Sequence, residues 1–257
     1  MTVTMLRCLQ DDINAECLRI AQSNNLTNAY VAGPIFDGVP DEELYLKSWP
    51  RVLWILQEPH DNSASEQGRP KGNWSVPKDM IKVEDYAWWN RTHASIAKVM
   101  YAFRNQEDFQ DVEVRYKVAR DKLDVTDENF AWEVMRVLQS TAWINVSKMP
   151  CPNGTNSNSG RIRSAYRNYW RDVVIRQVNE IYQPHIIVVA GGQWEYVADD
   201  LADGEWYEES GYPNQAGRWR DSQDRQFIWV DHPTARTGKC FNSWVNVLND
   251  ARHALRE

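Results

Sequence analysis

The sequence predicts an α/β fold: a three-layer α/β/α sandwich with a central, mainly parallel four-stranded sheet. Three observations predict it. Four short apolar runs, at 52–57, 142–146, 184–190 and 226–230, are nearly unbroken by polar residues, as strands buried on both faces are. Segments with apolar residues at helical spacing separate these runs, so strands alternate with helices. Each run also stops abruptly, at Glu58-Pro59, at Asn145 to Lys148, at Gly191-Gly192 and at Asp231-His232-Pro233. The carboxyl ends of parallel strands form the edge where open α/β sheets bind ligands. If the first, second and last of these strands are parallel neighbours, Glu58, Asn145 and His232 meet in one cleft.

The elements follow in order. Leu6, Leu9, Ile13, Cys17 and Ile20 fall at helical intervals and predict an amphipathic helix over 5–22. The apolar segment 30–36 is broken by Gly33-Pro34. It is similar to the opening strand of nucleoside deoxyribosyltransferases, but the acidic strand motif that carries their nucleophile has no counterpart here. A short helical turn near 40–46 precedes the first strand. The stretch 58–82 is rich in Gly, Pro, Ser, Asn and Asp and too long for a simple connection, which marks it as a functional loop. Trp88, Trp89, Ile96 and Met100 predict a helix over 85–103. The charged segment 111–122 is ambiguous and reads as an insertion, and 127–139 reads as a helix capped near Thr126. After the second strand come a loop over 150–160 and a basic helix over 162–182. A short helix at 195–201, a polar loop at 203–224, the last strand and a helix at 241–255 complete the chain. No repeat or linker divides it, so residues 1–257 read as a single domain with an N-terminal helical extension over about 1–36.

Composition narrows the function classes. Hydrophobic residues at 42% and charged residues at 25% describe an ordinary globular chain, and 13 Trp make it expected that at least one lines a pocket for flat ligands. The first turns carry Asp11, Asp12 and Glu16 and no long apolar run, unlike a signal peptide, and no stretch is long enough to span a membrane. Cys8, Cys17, Cys151 and Cys240 form no Cys-x-x-Cys pair, so no metal is expected and free thiols in a reducing cytoplasm are. There is no Gly-x-Gly-x-x-Gly fingerprint and no phosphate-binding Gly-rich Lys-Ser/Thr loop, so no cofactor is expected either. The net charge is −7, whereas a surface wholly devoted to phosphate would be basic. The bases cluster instead: 148–171 contains Lys148, Arg161, Arg163, Arg167 and Arg171 and no acid, beside Asn145. Any one such Arg is more often part of a solvated helix face; together they are a candidate DNA footprint.

In this order, the strand-ending motifs resemble those of the uracil-DNA glycosylase superfamily. Leu56-Gln57-Glu58-Pro59 stands where that family's first strand runs into a Gly-Gln-Asp-Pro-like turn. Asn145-Val-Ser-Lys148, followed by Pro150 and Pro152, is similar to the central motif whose Asn reads the base. Pro184-His-Ile-Ile-Val-Val-Ala-Gly191 matches the third strand, and His232-Pro-Thr-Ala-Arg236 matches the His-Pro-Ser motif with the loop that pushes into the duplex. The likeness runs from about Asp37 to the C-terminal helix. It is greatest to bacterial members that carry Asp-Gly-x-x-x-x-Glu upstream, here Asp37-Gly38 and Glu43. It implies a DNA glycosylase that leaves an abasic site, with DNA as partner, no cofactor and a monomer as the expected state. The chain departs from the family pattern in several places. Glu58 replaces Asp, Leu56 replaces Gly, and His60 stands where a pocket-blocking Tyr can sit. The cysteines of the iron–sulfur branches are missing, with Met149 at one ligand place. These departures and the long polar loop point to a base larger than uracil, such as a glucosylated hydroxymethylcytosine held by Asn62, Gln67 or Asn73. Superfamily members that act against phage with modified DNA make antiviral defence a consistent role.

The chemistry fits the same residues. Cleaving a base from deoxyribose builds positive charge on the sugar and negative charge on the base. A carboxylate near the sugar stabilises the first and orients a water, a role for Glu58 with Asp61 in reserve. His232 can donate to the leaving base. Asn145 offers a donor and an acceptor to a base edge, with Gln57 and His60 beside it, and Trp74 supplies a stacking face. Lys148, Arg161, Arg163 and Arg167 are candidate phosphate contacts, and Arg236 with Thr234 would enter the duplex. Lys148 could form a Schiff base, but pairing with a phosphate or an acid is the expected role. Alone, a Glu after a strand is commonly a cap, an Asn a turn former and a His-Pro a loop; at three parallel strand ends the functional reading is favoured. The competing classes are a uracil-DNA glycosylase of base-excision repair, a non-catalytic nucleic-acid-binding module and a nucleoside-processing enzyme.

Overall fold

The computed structural model describes residues 1–59, 70–76, 91–121, 130–151, 159–202, 207–212, 216–233 and 241–256. Within them the strands are β1 Ile35–Phe36, β2 Val52–Leu56, β3 Trp74–Ser75, β4 Ala142–Asn145, β5 Ile186–Ala190, β6 Tyr207–Tyr212, β7 Ala216–Arg220 and β8 Gln226–Val230. The main sheet has six strands in the order β4-β2-β5-β8-β7-β6, and β1 and β3 form a separate parallel pair. β4, β2, β5 and β8 are parallel, and they are the four strands expected from the apolar runs. The fold is thus α/β with a mostly parallel sheet, but the sheet is not four-stranded.

The two extra strands come from 203–224, expected as a polar loop. β7 pairs antiparallel with β8, and β6 pairs antiparallel with β7. A strand added outside the parallel core need not be apolar throughout, so Ala216-Gly-Arg-Trp-Arg220 shows no hydrophobic run. Gly217 leaves room for the Trp219 ring. A Cβ there would lie 2.2 Å from the Trp219 ring, which occupies that space and stacks on Trp194 at 4.5 Å between centroids.

Side chains alternate across the sheet and build two cores. Val52, Trp54 and Leu56 join one cluster, with Ile96 and Met100 of helix Arg91–Asn105, Val134 of helix Phe130–Arg136, and Leu248 of helix Phe241–Ala254. Leu53 and Ile55 join the other, with Leu6 and Ile13 of helix Val3–Ser23, Trp170 and Val174 of the helical run 159–182, and Val197 of helix Trp194–Leu201. Helices therefore cover both faces, an arrangement compatible with a three-layer sandwich. The N-terminal helix is capped by Thr2, whose Oγ1 accepts from Met5 N–H at 3.2 Å.

Two segments differ from expectation. The charged stretch expected as an insertion is the helix Phe109–Asp121. Phe109, Val112 and Tyr116 lie on one face of it and are buried in the first cluster, while the charges on its other faces hide the periodicity. The basic helix begins at Ser159 rather than 162, and π-helical turns at Tyr166–Trp170 and Gln177–Tyr182 interrupt its α-helical parts. Thr126, Trp88 and Trp89 lie outside the described residues. Among the described residues, no helix is long and apolar enough to cross a membrane.

Candidate functional site

Register levels the strand ends. Leu56 faces Asn145 across β2 and β4, Ile55 faces Val189 across β2 and β5, and Val189 faces Trp229 across β5 and β8. Residues just past these ends, Glu58, Gly191 and His232, therefore fall along one edge. The strand order changes direction at β2, which has β4 on one side and β5 on the other. Beyond the strands the backbones stay paired. Val146 N–H donates to Leu56 O at 2.9 Å, Ser147 N–H to Gln57 O at 3.0 Å, and Cys151 N–H to Pro59 O at 3.0 Å. These bonds hold the turn that carries Glu58. Gly191 has φ 104°, and a Cβ there would sit 3.3 Å from Gln57 Nε2 and 3.7 Å from His232 Cβ. A side chain there would be strained at that φ and would crowd the Gln57 amide.

A cavity of about 100 Å³ opens at this edge. Glu58, Asn145, His232 and Trp74 all line it, so four residues singled out from the sequence converge from β2, β4, β8 and β3. Asp37, His93 and Trp143 line it too.

The Glu58 side chain has no exposed surface, and its Oε2 accepts from Arg161 Nη2. Its Oε1 is buried and has no hydrogen-bond partner among the described residues. A buried carboxylate needs a counter-charge and donors, and Arg161 supplies only part of that need. An open acceptor beside a cavity is a place for a donor such as water.

Asn145 is held from behind. Its Nδ2 donates to Asp37 Oδ1 at 2.8 Å, and its backbone N–H donates to Asp37 Oδ2 at 3.0 Å. Asp37 arrives there because it follows β1, and the next residue, Gly38, pairs with Trp143 of β4 in both directions, at 3.1 and 3.2 Å. Lys148 corrects an expectation. Of the two roles expected of it, contact with phosphate and pairing with an acid, only the second fits a side chain that is 1% exposed. Its ammonium donates to Asp37, to Asn145 O at 2.6 Å and to Gln177 Oε1 at 2.7 Å, so it answers an acid rather than DNA. Arg161 is corrected in part as well: its guanidinium is engaged by Glu58, inside the site.

The other candidates spread out. Gln57 is half-buried next to Gly191. Arg163 lies over the Tyr196 ring, 5.4 Å from its centroid, and Arg167 is exposed. His60, Asp61, Thr234 and Arg236 lie outside the described residues, as do Asn62 and Gln67. Among the described residues, no three His, Cys, Asp or Glu gather as a metal site.

Sequence reasoning missed three wall residues. Trp143 was legible, since it lies two residues before Asn145 and so on the same strand face. Asp37 belongs to the Asp-Gly motif, but nothing local to it signals its contact with Asn145. His93 had no local signal, because only the fold brings the first turn of helix Arg91–Asn105 to the strand ends. Its ring packs on Trp143 at 4.4 Å, and burial lowers its pKa to about 4, so it is neutral near pH 7. No protein-family model matches the sequence, and no curated protein matches it.

Proposed function

We propose that the chain is a monofunctional DNA glycosylase that extrudes a base, hydrolyses its N-glycosidic bond and leaves an abasic site. One observation carries the reading: a buried carboxylate with an open acceptor, Glu58 Oε1, shares a cavity with an amide, an imidazole and an indole set on separate strands. Water held by Glu58 attacks C1′ as the bond to the base breaks, and the bonding pair leaves with the base. The water's proton passes to Glu58, and His232 donates to the base as charge builds there. Asn145 bonds the base edge, and Trp74 offers a flat face for stacking. Lys148 supports hydrolysis over Schiff-base chemistry, since its ammonium is buried and bonded to three acceptors. The uracil-DNA glycosylase-like architecture, a three-layer sandwich with the site at its parallel strand ends, belongs to this reading.

The favoured substrate is a C5-substituted pyrimidine of the hypermodified cytosine kind, in a phage-defence role. The departures at Leu56 and His60 and the long polar stretch after Glu58 support it. Uracil is the second reading, and cavity size favours it. About 100 Å³ is well below the ~300 Å³ at which pockets for drug-sized ligands begin, so the described walls fit a bare ring. Incubating the protein with duplexes that carry uracil, 5-hydroxymethylcytosine or its glucosylated form, followed by alkaline cleavage, tests both. Strand breaks with the glucosylated duplex are expected. Breaks confined to the uracil duplex would replace the first substrate with the second, and breaks in none would refute the glycosylase.

A further inference from the structure

We propose that Asp37 is a positioning residue that locks the Asn145 amide in one orientation, which makes the cavity selective for planar ligands offering an N–H beside an acceptor. Asp37 and Lys148 are each 1% exposed and paired with one another. An ionised carboxylate only accepts hydrogen bonds. With Asp37 Oδ1 2.8 Å from Asn145 Nδ2, a flipped amide would set two acceptors against each other at that distance, away from water. Lys148 fixes the carboxylate in turn, and it also holds the Asn145 main-chain carbonyl at 2.6 Å. The Asn145 backbone and its Nδ2 are therefore both held before any ligand arrives. Asn145 Oδ1 makes no hydrogen bond to a described residue, and Asn145 is a wall of the cavity. The edge left for a ligand is thus a fixed acceptor, Oδ1, with the second Nδ2 hydrogen beside it. A ring N–H or an exocyclic amine next to a ring acceptor or carbonyl meets that edge, and methylation of the N–H removes the match.

The inference deepens the reading of the site as a base pocket and rests on it for the ligand class. Its test reads binding without DNA or turnover. Calorimetric titration compares uracil with 3-methyluracil and cytosine with N4,N4-dimethylcytosine. Wild-type protein is expected to bind the unmethylated member of at least one pair at least about tenfold more tightly, because a site built to bond an N–H rejects the analogue that lacks it. Asp37→Leu combined with Lys148→Met removes the lock. Replacing both members of a buried ion pair avoids leaving either charge unpaired. In that variant, at a temperature where it is folded, the ratio is expected to fall below about threefold. Asp37→Asn, whose carboxamide tolerates either orientation of Asn145, provides a second arm and should narrow the ratio as well. Equal binding of both members of each pair by wild-type protein, or no binding of any of the four bases, would overturn the proposal. So would full discrimination in either variant once folded. A protein that binds selectively but releases no base would sink the glycosylase reading and leave this one standing.

Discussion

Glu58 and Lys148 are both buried charges, but their surroundings give them different work. Lys148 meets three acceptors and has 1% exposure, so its substitution should register in stability. Lys148→Met alone leaves Asp37 buried without its counter-ion, which costs about 3–5 kcal/mol; denaturant melts check this, and an unchanged midpoint would contradict the burial. His93 makes a second prediction. Its pKa falls from 6.5 to about 4 on folding, because burial disfavours the charged ring. Between those values the unfolded chain binds more protons, so stability is full above about pH 6.5 and declines as pH drops towards 4, by at most about 3 kcal/mol. His93→Phe should flatten that part of the pH–stability curve. His185, also lowered by burial, adds a slope of the same sign that the variant retains. At this scale the sequence showed which residues end strands, because a polar residue after an apolar run is a local signal. It did not show that Asp37 binds Asn145 across 108 positions, since nothing local encodes a contact between segments so far apart.

Elements carry two further predictions. In the β6–β7 hairpin, Gly217→Val would drive a side chain into the Trp219 ring and unstack it from Trp194. Overpacking of that kind costs about 1–3 kcal/mol, and a lower melting temperature with a changed near-ultraviolet signal would report it. The helical run 159–182 carries Arg163 and Arg167 beyond the acidic partners that occupy Arg161 and Arg171. Replacing both by Gln should weaken DNA binding alike on all sequences and lower the salt slope by up to about 1.8, for two phosphate contacts at ~0.9 each. An unchanged slope would make the run an ordinary solvated face. The parallel strands were legible because burial on both faces leaves a continuous apolar run. The hairpin and the helix Phe109–Asp121 were not, because an added edge strand and a helix buried on one stripe show mostly polar residues.

The whole molecule gathers its candidate site where the four parallel strands end. Level registers bring Glu58, Asn145 and His232 within reach of one cavity, and no one segment alone could do so. The convergence was foreseeable from strand ends; the depth of the pocket was not, because its walls come from Asp37, His93 and Trp143, supplied by a distant turn, a helix start and a neighbouring strand position. The central claim is that Glu58 acts on the sugar in the transition state. The most direct measurement is single-turnover release of free base, by mass spectrometry, from a duplex the wild-type protein cleaves, with Glu58→Gln alongside. Release is expected to slow by roughly 10²–10⁴-fold while DNA binding and the melting temperature stay close to wild type. A folded Glu58→Gln protein that releases base at the wild-type rate would contradict the account.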